Sequence, residues 1–277
     1  MDSVTKQTTG DNTMLLVKIG GGGSINLAGI ISDLKNLDEQ FIIVHGANAL
    51  RDQLAEQLHI EKEILTSVSG YSSVKSTDDM IDLLLMSYAG LRNKRIVELL
   101  RMNGINAIGL SGIDGGLIEG KRNKGIKSVV NGKRVLIRDN SGKPQKINHN
   151  LLRLLLDNGY FPVITVPITD EDNRLINSEN DDIVGLLVQN LSFTKVIMFI
   201  EERGLLRDRN QLDSLIKQIN HIELDKWENE TTGRMKRKLY AIQQMLHEHG
   251  PTIVISDGRS EFPVSNALAG IGTTIKW

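Results

Sequence analysis

Short apolar runs alternate with helical periodicities along most of this chain. Met14–Ile19 (MLLVKI), Phe41–Val44, Ala107–Leu110, Phe161–Val166, Val196–Ile200 and Thr252–Ile255 have the length and composition of buried strands. Between them, amphipathic stretches near 25–37, 48–58, 77–103, 147–158, 181–190 and 235–249 read as helices. Strand and helix in alternation predict a mainly parallel sheet covered on both faces.

Two stretches break that rhythm. Residues 117–138 hold two β-type runs about Asn131-Gly132, a hairpin turn signature. Residues 201–233 are charged and read as irregular. The lobe boundary is placed near residue 190, which separates 14–190 from 191–277. The polar residues 1–13 lack the apolar core of a leader and read as a disordered tail.

Composition then acts mainly by exclusion. The 277 residues suit two lobes, since a domain takes roughly 100–200 residues. A net charge of −1 supplies no field for nucleic acid or membrane. Aromatics are 4%, too few for base-stacking platforms. The chain has no cysteine, which excludes disulfide and thiolate chemistry. His247 and His249 are two apart, the wrong spacing for one helix face, and no metal site is expected. No apolar run approaches the roughly 20 residues of a membrane span, so a cytoplasmic protein is expected.

Three segments carry candidate chemistry. Lys18 sits inside the first strand, and Gly20, Gly21, Gly22 and Gly23 follow it before a helix. Consecutive glycines let backbone N–H groups approach an anion, and the next helix adds its positive end. Val44-His45-Gly46-Ala47-Asn48 is a second strand-to-helix turn, suited to lie beside the first at the carboxyl edge of the sheet. Gly233-Arg234-Met235-Lys236-Arg237-Lys238 starts a helix with positive charge, which opposes the helix dipole unless an anion binds there. Two familiar patterns fail. The glycines at 20–23 do not complete GxGxxG, and Gly115–Lys121 lacks the Ser/Thr and the following helix of a Walker A loop. Lysines and glycine turns without a nucleophile or histidine base suit phosphoryl transfer, which rests on positioning and charge neutralisation. A carboxylate acceptor needs no base at neutral pH.

These segments resemble a known family. VKIGGG (17–22), VHGA (44–47), GLSGIDGGL (109–117), LINSEND (175–181), GRMKRK (233–238), SDGR (256–259) and PVSNALAGIGT (263–273) resemble the amino acid kinase superfamily. The likeness is to acetylglutamate kinase and to its branch acting on glutamate or 2-aminoadipate held by an amino-group carrier protein. It implies an α/β fold, a three-layer αβα sandwich with an acceptor-binding lobe and a nucleotide-binding lobe, and a homodimer. It implies ATP with Mg2+, with Lys18 and Lys238 stabilising the transferring phosphoryl group. Gly20, Gly21, Gly46 and Ala47 would hold phosphate oxygens and the acceptor, and Gly204 and Arg234 would serve the nucleotide. Asn177 and Lys75 would grip the acceptor, and Glu179 would organise the two lysines. The family pattern has glycine at Ala47, arginine at Lys75, aspartate at Glu179, and a Ser-Asn/Asp-Val-Pro-Gly type loop at Ile200–Gly204.

Nine basic residues lie between Lys121 and Lys146 against Asp139 alone. That asymmetry suits either a solvated hairpin or steering of a small acidic carrier protein. The readings carried forward are a carrier-dependent carboxylate kinase, a kinase of free N-acetylglutamate, and a non-catalytic regulatory paralogue.

Overall fold

Six of the eight strands in the central sheet are the six apolar runs of the sequence. The computed structural model describes residues 14–68, 72–130, 133–208, 210–231, 233–246, 248 and 250–277, with residues 130, 212, 233 and 234 described by backbone alone. The expected tail, the Asn131-Gly132 turn, His247 and His249 lie outside the described residues.

In chain order the first strands are β1 (Met14–Ile19), β2 (Gln40–His45), β3 (Ile64–Thr66), β4 (Ser72–Val74), β5 (Ala107–Ser111), β6 (Ile118–Arg122), β7 (Ile126–Val130) and β8 (Lys133–Ile137). They are followed by β9 (Gly142–Ile147), β10 (Phe161–Thr165), β11 (Ile168–Thr169), β12 (Leu175–Ile176), β13 (Lys195–Ile200), β14 (Gln218–Asn220), β15 (Thr252–Asp257) and β16 (Thr273–Lys276). The helices are α1 (Leu27–Leu34), α2 (Asn48–Gln57), α3 (Asp78–Leu84), α4 (Asn93–Met102), α5 (His149–Asp157), α6 (Asn180–Asn190), α7 (His221–Glu230), α8 (Gly233–Met245) and α9 (Pro263–Leu268).

The central sheet runs β14-β16-β15-β13-β1-β2-β10-β5 and is parallel except where β15 meets β16. It is continuous across residue 190, with β1 hydrogen-bonded to β2 on one side and β13 on the other. One face is covered by α1, α4 and α9, through Ile30, Ile31, Ile96, Leu100, Val264 and Ala267. The other face packs on α5, α6 and α8, through Leu152, Leu156, Val184, Leu187, Leu239 and Ile242. The three-layer arrangement expected from the family resemblance is present.

Strand periodicity decides where the first lysine goes. Leu15, Val17 and Ile19 enter the core under α1, while Leu16 enters the core under α6 and α8. Successive strand side chains alternate faces, so Lys18 shares the face of Leu16. Burying a leucine- or valine-sized side chain is worth about 1.5–3 kcal/mol, and the apolar residues of β1 offset the cost of holding one ammonium there.

Two expectations are corrected. The stretch 77–103 is not one α-helix, because a π-helical segment, Leu85–Arg92, separates α3 from α4. The stretch 201–233 is not irregular throughout, since it contains β14 and α7. Asn220 and Glu223 form a reciprocal capping box at the start of α7. Only Leu224 of that helix is buried, which is why no apolar period marked it. Gly115–Lys121 runs into β6 rather than a helix, so it is not a phosphate loop of the Walker type. Among the described residues, no helix is long and apolar enough to cross a membrane.

Candidate active site

Two lysines 220 residues apart meet on one carboxylate. Lys18 Nζ lies 2.9 Å from Asp181 Oδ1, and Lys238 Nζ lies 2.9 Å from Asp181 Oδ2. Each residue heads an apolar stripe aimed at the same sheet face. Lys18 follows Leu16 on β1, Asp181 precedes Val184 and Val188 on α6, and Lys238 precedes Ile242 and Met245 on α8. The i, i+3/i+4, i+7 spacing therefore carries charge into the site by the same geometry that buries the core.

The acid at the two lysines is thus Asp181, and the expected role of Glu179 is corrected. Glu179 stands just before α6, outside its apolar stripe, and its carboxylate pairs with Arg237. Its side chain is 48% exposed against 15% for Asp181, as suits a residue at the rim. The signal that would have found Asp181 was its phase with Val184 and Val188. The basic start of α8 is also balanced in place, since Lys236, Arg237 and Lys238 face Glu228, Glu179 and Asp181 respectively. The side chain of Arg234 lies outside the described residues.

The two glycine turns sit face to face beside these lysines. Gly20 N–H donates to the Phe199 carbonyl, and Gly46 N–H donates to the Ile19 carbonyl. A Cβ on Gly21 would come 2.5 Å from the Asn48 nitrogen, and one on Gly46 would come 3.0 Å from the Gly21 nitrogen. Backbone approaches this close admit only glycine. Ala47 is buried immediately before α2, and the Tyr88 hydroxyl of the π-helical segment donates to Asn48 Oδ1. Gly204 lies beyond the carboxyl end of β13 with φ of +144°, packed on Thr273.

A cavity of about 230 Å³ opens against Asp182 and Arg237, the chain neighbours of Asp181 and Lys238. Its lining includes Ser76, Lys143, Asn177, Asp182, Arg237 and Tyr240. Asn177 is at the cavity wall, and its Nδ2 donates to Ser76 Oγ at 3.0 Å. Lys75 is not: Val74 and Ser76 line the cavity, but the Lys75 ammonium pairs with Glu63 at 2.7 Å. Lys143, Asp182 and Tyr240 were missed in the sequence because they come from separate elements and share no motif.

A family model described as the amino acid kinase family matches residues 13–257. The chain belongs to the amino acid kinase family. It is 35% identical to LysW-aminoadipate kinase of Thermus thermophilus over 95% of this chain and all of that protein. It is also 35% identical to LysW-aminoadipate kinase of Deinococcus radiodurans, covering 95% of this chain and 91% of that one. Among solved structures, carbamate kinase of Giardia superposes with a TM-score of 0.65 at 13% identity, covering 96% of this chain and 99% of that one.

Electrostatics in this amino acid kinase follow from burial and pairing. Burial disfavours ionisation of Asp181, but the two ammoniums outweigh it and hold the carboxyl well below the ordinary range. For Lys18, burial acts to lower the pKa, and the charge and hydrogen bond of Asp181 reverse that to raise it. Lys238 is lowered to about 8, by burial first and then by the charge of Lys18. Two ammoniums share one carboxylate at the end of the glycine turns, so the three-residue set by itself carries a surplus positive charge.

His45 offers no base. Burial, with Arg92 and Lys94 nearby, pushes it down to about 3, and Asn93 Nδ2 lies 3.1 Å from its Nε2. Glu201 is a further addition to the site. Its carboxylate accepts from the Ser24 N–H at 2.9 Å and from Ser24 Oγ at 2.6 Å. Its Cδ would lie 2.0 Å from a Cβ on Gly22, so an acidic group occupies the flank of the glycine loop.

Proposed function

We propose that this kinase uses ATP to phosphorylate the side-chain carboxylate of 2-aminoadipate or glutamate while the amino group is attached to a small acidic carrier protein. The product would be an acyl phosphate, as in lysine- or arginine-type biosynthesis. The observation that carries the reading is the buried Lys18–Asp181–Lys238 set beside paired glycine turns. Its surplus positive charge suits a group that becomes more anionic at its oxygens during transfer.

In this reading an acceptor carboxylate oxygen attacks the γ-phosphorus. The bond from that phosphorus to the β–γ bridging oxygen breaks, and ADP leaves with the electron pair. No proton need be removed from the acceptor, which agrees with His45 beside the second glycine turn being neutral and sealed in the core. Lys18 and Lys238 hold the transferring group from two sides, with Asp181 fixing both. Gly20, Gly21, Gly46 and Ala47 supply backbone at the phosphates, Gly204 and Arg234 serve the nucleotide, and Asn177 orients the acceptor. Mg2+ would arrive with the nucleotide phosphates and neutralise part of their charge. Among the described residues, no group of three or more His, Asp or Glu side chains is arranged to hold a metal.

The carrier assignment draws on the relatives' names and on the β7–β8 hairpin. Lys127, Lys133, Arg134 and Arg138 are exposed on or beside it, as are Val129 and Leu136. A basic surface with apolar patches fits an acidic protein partner. The reading as a non-catalytic paralogue loses one of its reasons, because Asp181 supplies the acid that Glu179 seemed to lack.

The test is hydroxamate formation in the presence of hydroxylamine and ATP. Carrier charged with 2-aminoadipate or glutamate is expected to give hydroxamate at rates far above free N-acetylglutamate. Equal turnover of free N-acetylglutamate would remove the carrier from the proposal, and no hydroxamate from any acceptor would remove the activity.

A further inference from the structure

The acceptor in the proposed reaction carries two carboxylates, one phosphorylated and one not, and the second must be recognised by something in the cavity. The position expected to do this, Lys75, is engaged elsewhere, with its ammonium on Glu63 and only its chain neighbours lining the cavity. Two other cations line the cavity. Arg237 is committed to Glu179 and reaches the Ser72 carbonyl. Lys143 is different: its ammonium sits over the Tyr240 ring, 5.7 Å from the centroid, and among the described residues no carboxylate pairs with it.

We propose that Lys143, rather than Lys75, receives the acceptor's second carboxylate. This rests on the dicarboxylate reading above and names the residue that reads its second charge. Tyr240 is the support. An ammonium over an aromatic face is held in place by the ring quadrupole and keeps its hydrogen-bond donors for a ligand. Asp182 gives the site a direction. It lines the same cavity and lies within electrostatic range of Lys143, whose charge opposes the rise that burial causes in its pKa. A carboxylate is repelled by Asp182 and drawn to Lys143, whereas an amide N–H on the acceptor's nitrogen finds an acceptor in Asp182. One orientation satisfies both, with the second carboxylate on β9 and the acylated nitrogen towards α6.

The experiment is a binding cycle between ligand and protein. N-acetyl-2-aminoadipate and N-acetylglutamate, each as the free α-acid and as the α-carboxamide, are titrated calorimetrically into wild type, K143Q, K143R and K75Q. A non-hydrolysable ATP analogue is present throughout. Wild type is expected to prefer acid over amide by roughly tenfold or more, the scale of one hydrogen bond to a charged group. K143Q should lose the preference, K143R should keep most of it, and K75Q should bind like wild type. Lys143 is solvent-exposed, so its variants are expected to fold normally, which circular dichroism checks. A preference that survives in K143Q, or that disappears in K75Q, overturns this assignment alone. Wild type that binds neither acid also overturns this assignment alone, because the carrier-borne acceptor of the proposed reaction is tested separately by hydroxamate formation.

Discussion

The lysine pair and the cavity beside it are built in opposite ways. Lys18, Asp181 and Lys238 rise from a central strand and two long helices, and each side chain is largely buried. The cavity is walled by short strands and loop residues set against the outer flanks of α6 and α8, with Lys143 exposed and Tyr240 partly so. The first arrangement is rigid because the apolar stripes that bury its residues also fix their directions. The second is cheap to alter, since its walls carry little of the core. A fold that must keep one reaction while changing acceptors would vary the second and leave the first alone.

Replacing Asp181 is the sharpest way to break this contrast. Asp181→Asn removes the anion shared by two buried ammoniums, and kcat is expected to fall by about 10²–10³. Glu179→Gln, which alters an exposed pair, should change kcat by less than about threefold. Steady-state kinetics of the two variants decide it, and comparable losses would return the organising role to Glu179.

A pH profile gives the next largest effect. Lys238 is lowered to about 8, so its charge is complete well below that pH and is lost as pH rises through it. If that charge serves transfer, kcat/KM should fall on the alkaline side of about 8. Lys238→Arg should lower the rate but abolish this alkaline limb, because a guanidinium keeps its proton. A limb unchanged in Lys238→Arg would assign the titration to another group.

The smallest effect is expected at Glu201. Its carboxylate flanks the glycine loop through Ser24, where it would repel nucleotide phosphates. Glu201→Gln should lower KM for ATP by roughly two- to fivefold, the scale of an exposed charge contact, and leave the acceptor KM unchanged. A raised KM would mean that the carboxylate orders the loop for the nucleotide instead.

Much of the fold was legible in the chain because it follows from local periodicity. The six apolar runs all became strands of the central sheet, and the lysine-glycine turn at β1 lies where a strand-to-helix turn should. Helix α7 escaped notice because one buried leucine cannot mark a period, although its capping box was present in Asn220 and Glu223. At the candidate site, the structure brings together the two lysines and both glycine turns that the sequence singles out, and the carboxylate between the lysines is Asp181, two residues beyond Glu179.

That difference marks the division between chain and structure. The sequence by itself determined which elements form, that Lys18 lies in a buried strand, and that two turns could meet at one sheet edge. Those properties depend on periods of 2.0 and 3.6 residues and on turn chemistry, which act between near neighbours. Tertiary structure alone decided that α6 presents Asp181 rather than Glu179, that Glu63 takes Lys75 out of the cavity, and that Lys143 and Tyr240 enter it. Each of these depends on the rotation of one element against another far away in the chain, which no local pattern encodes.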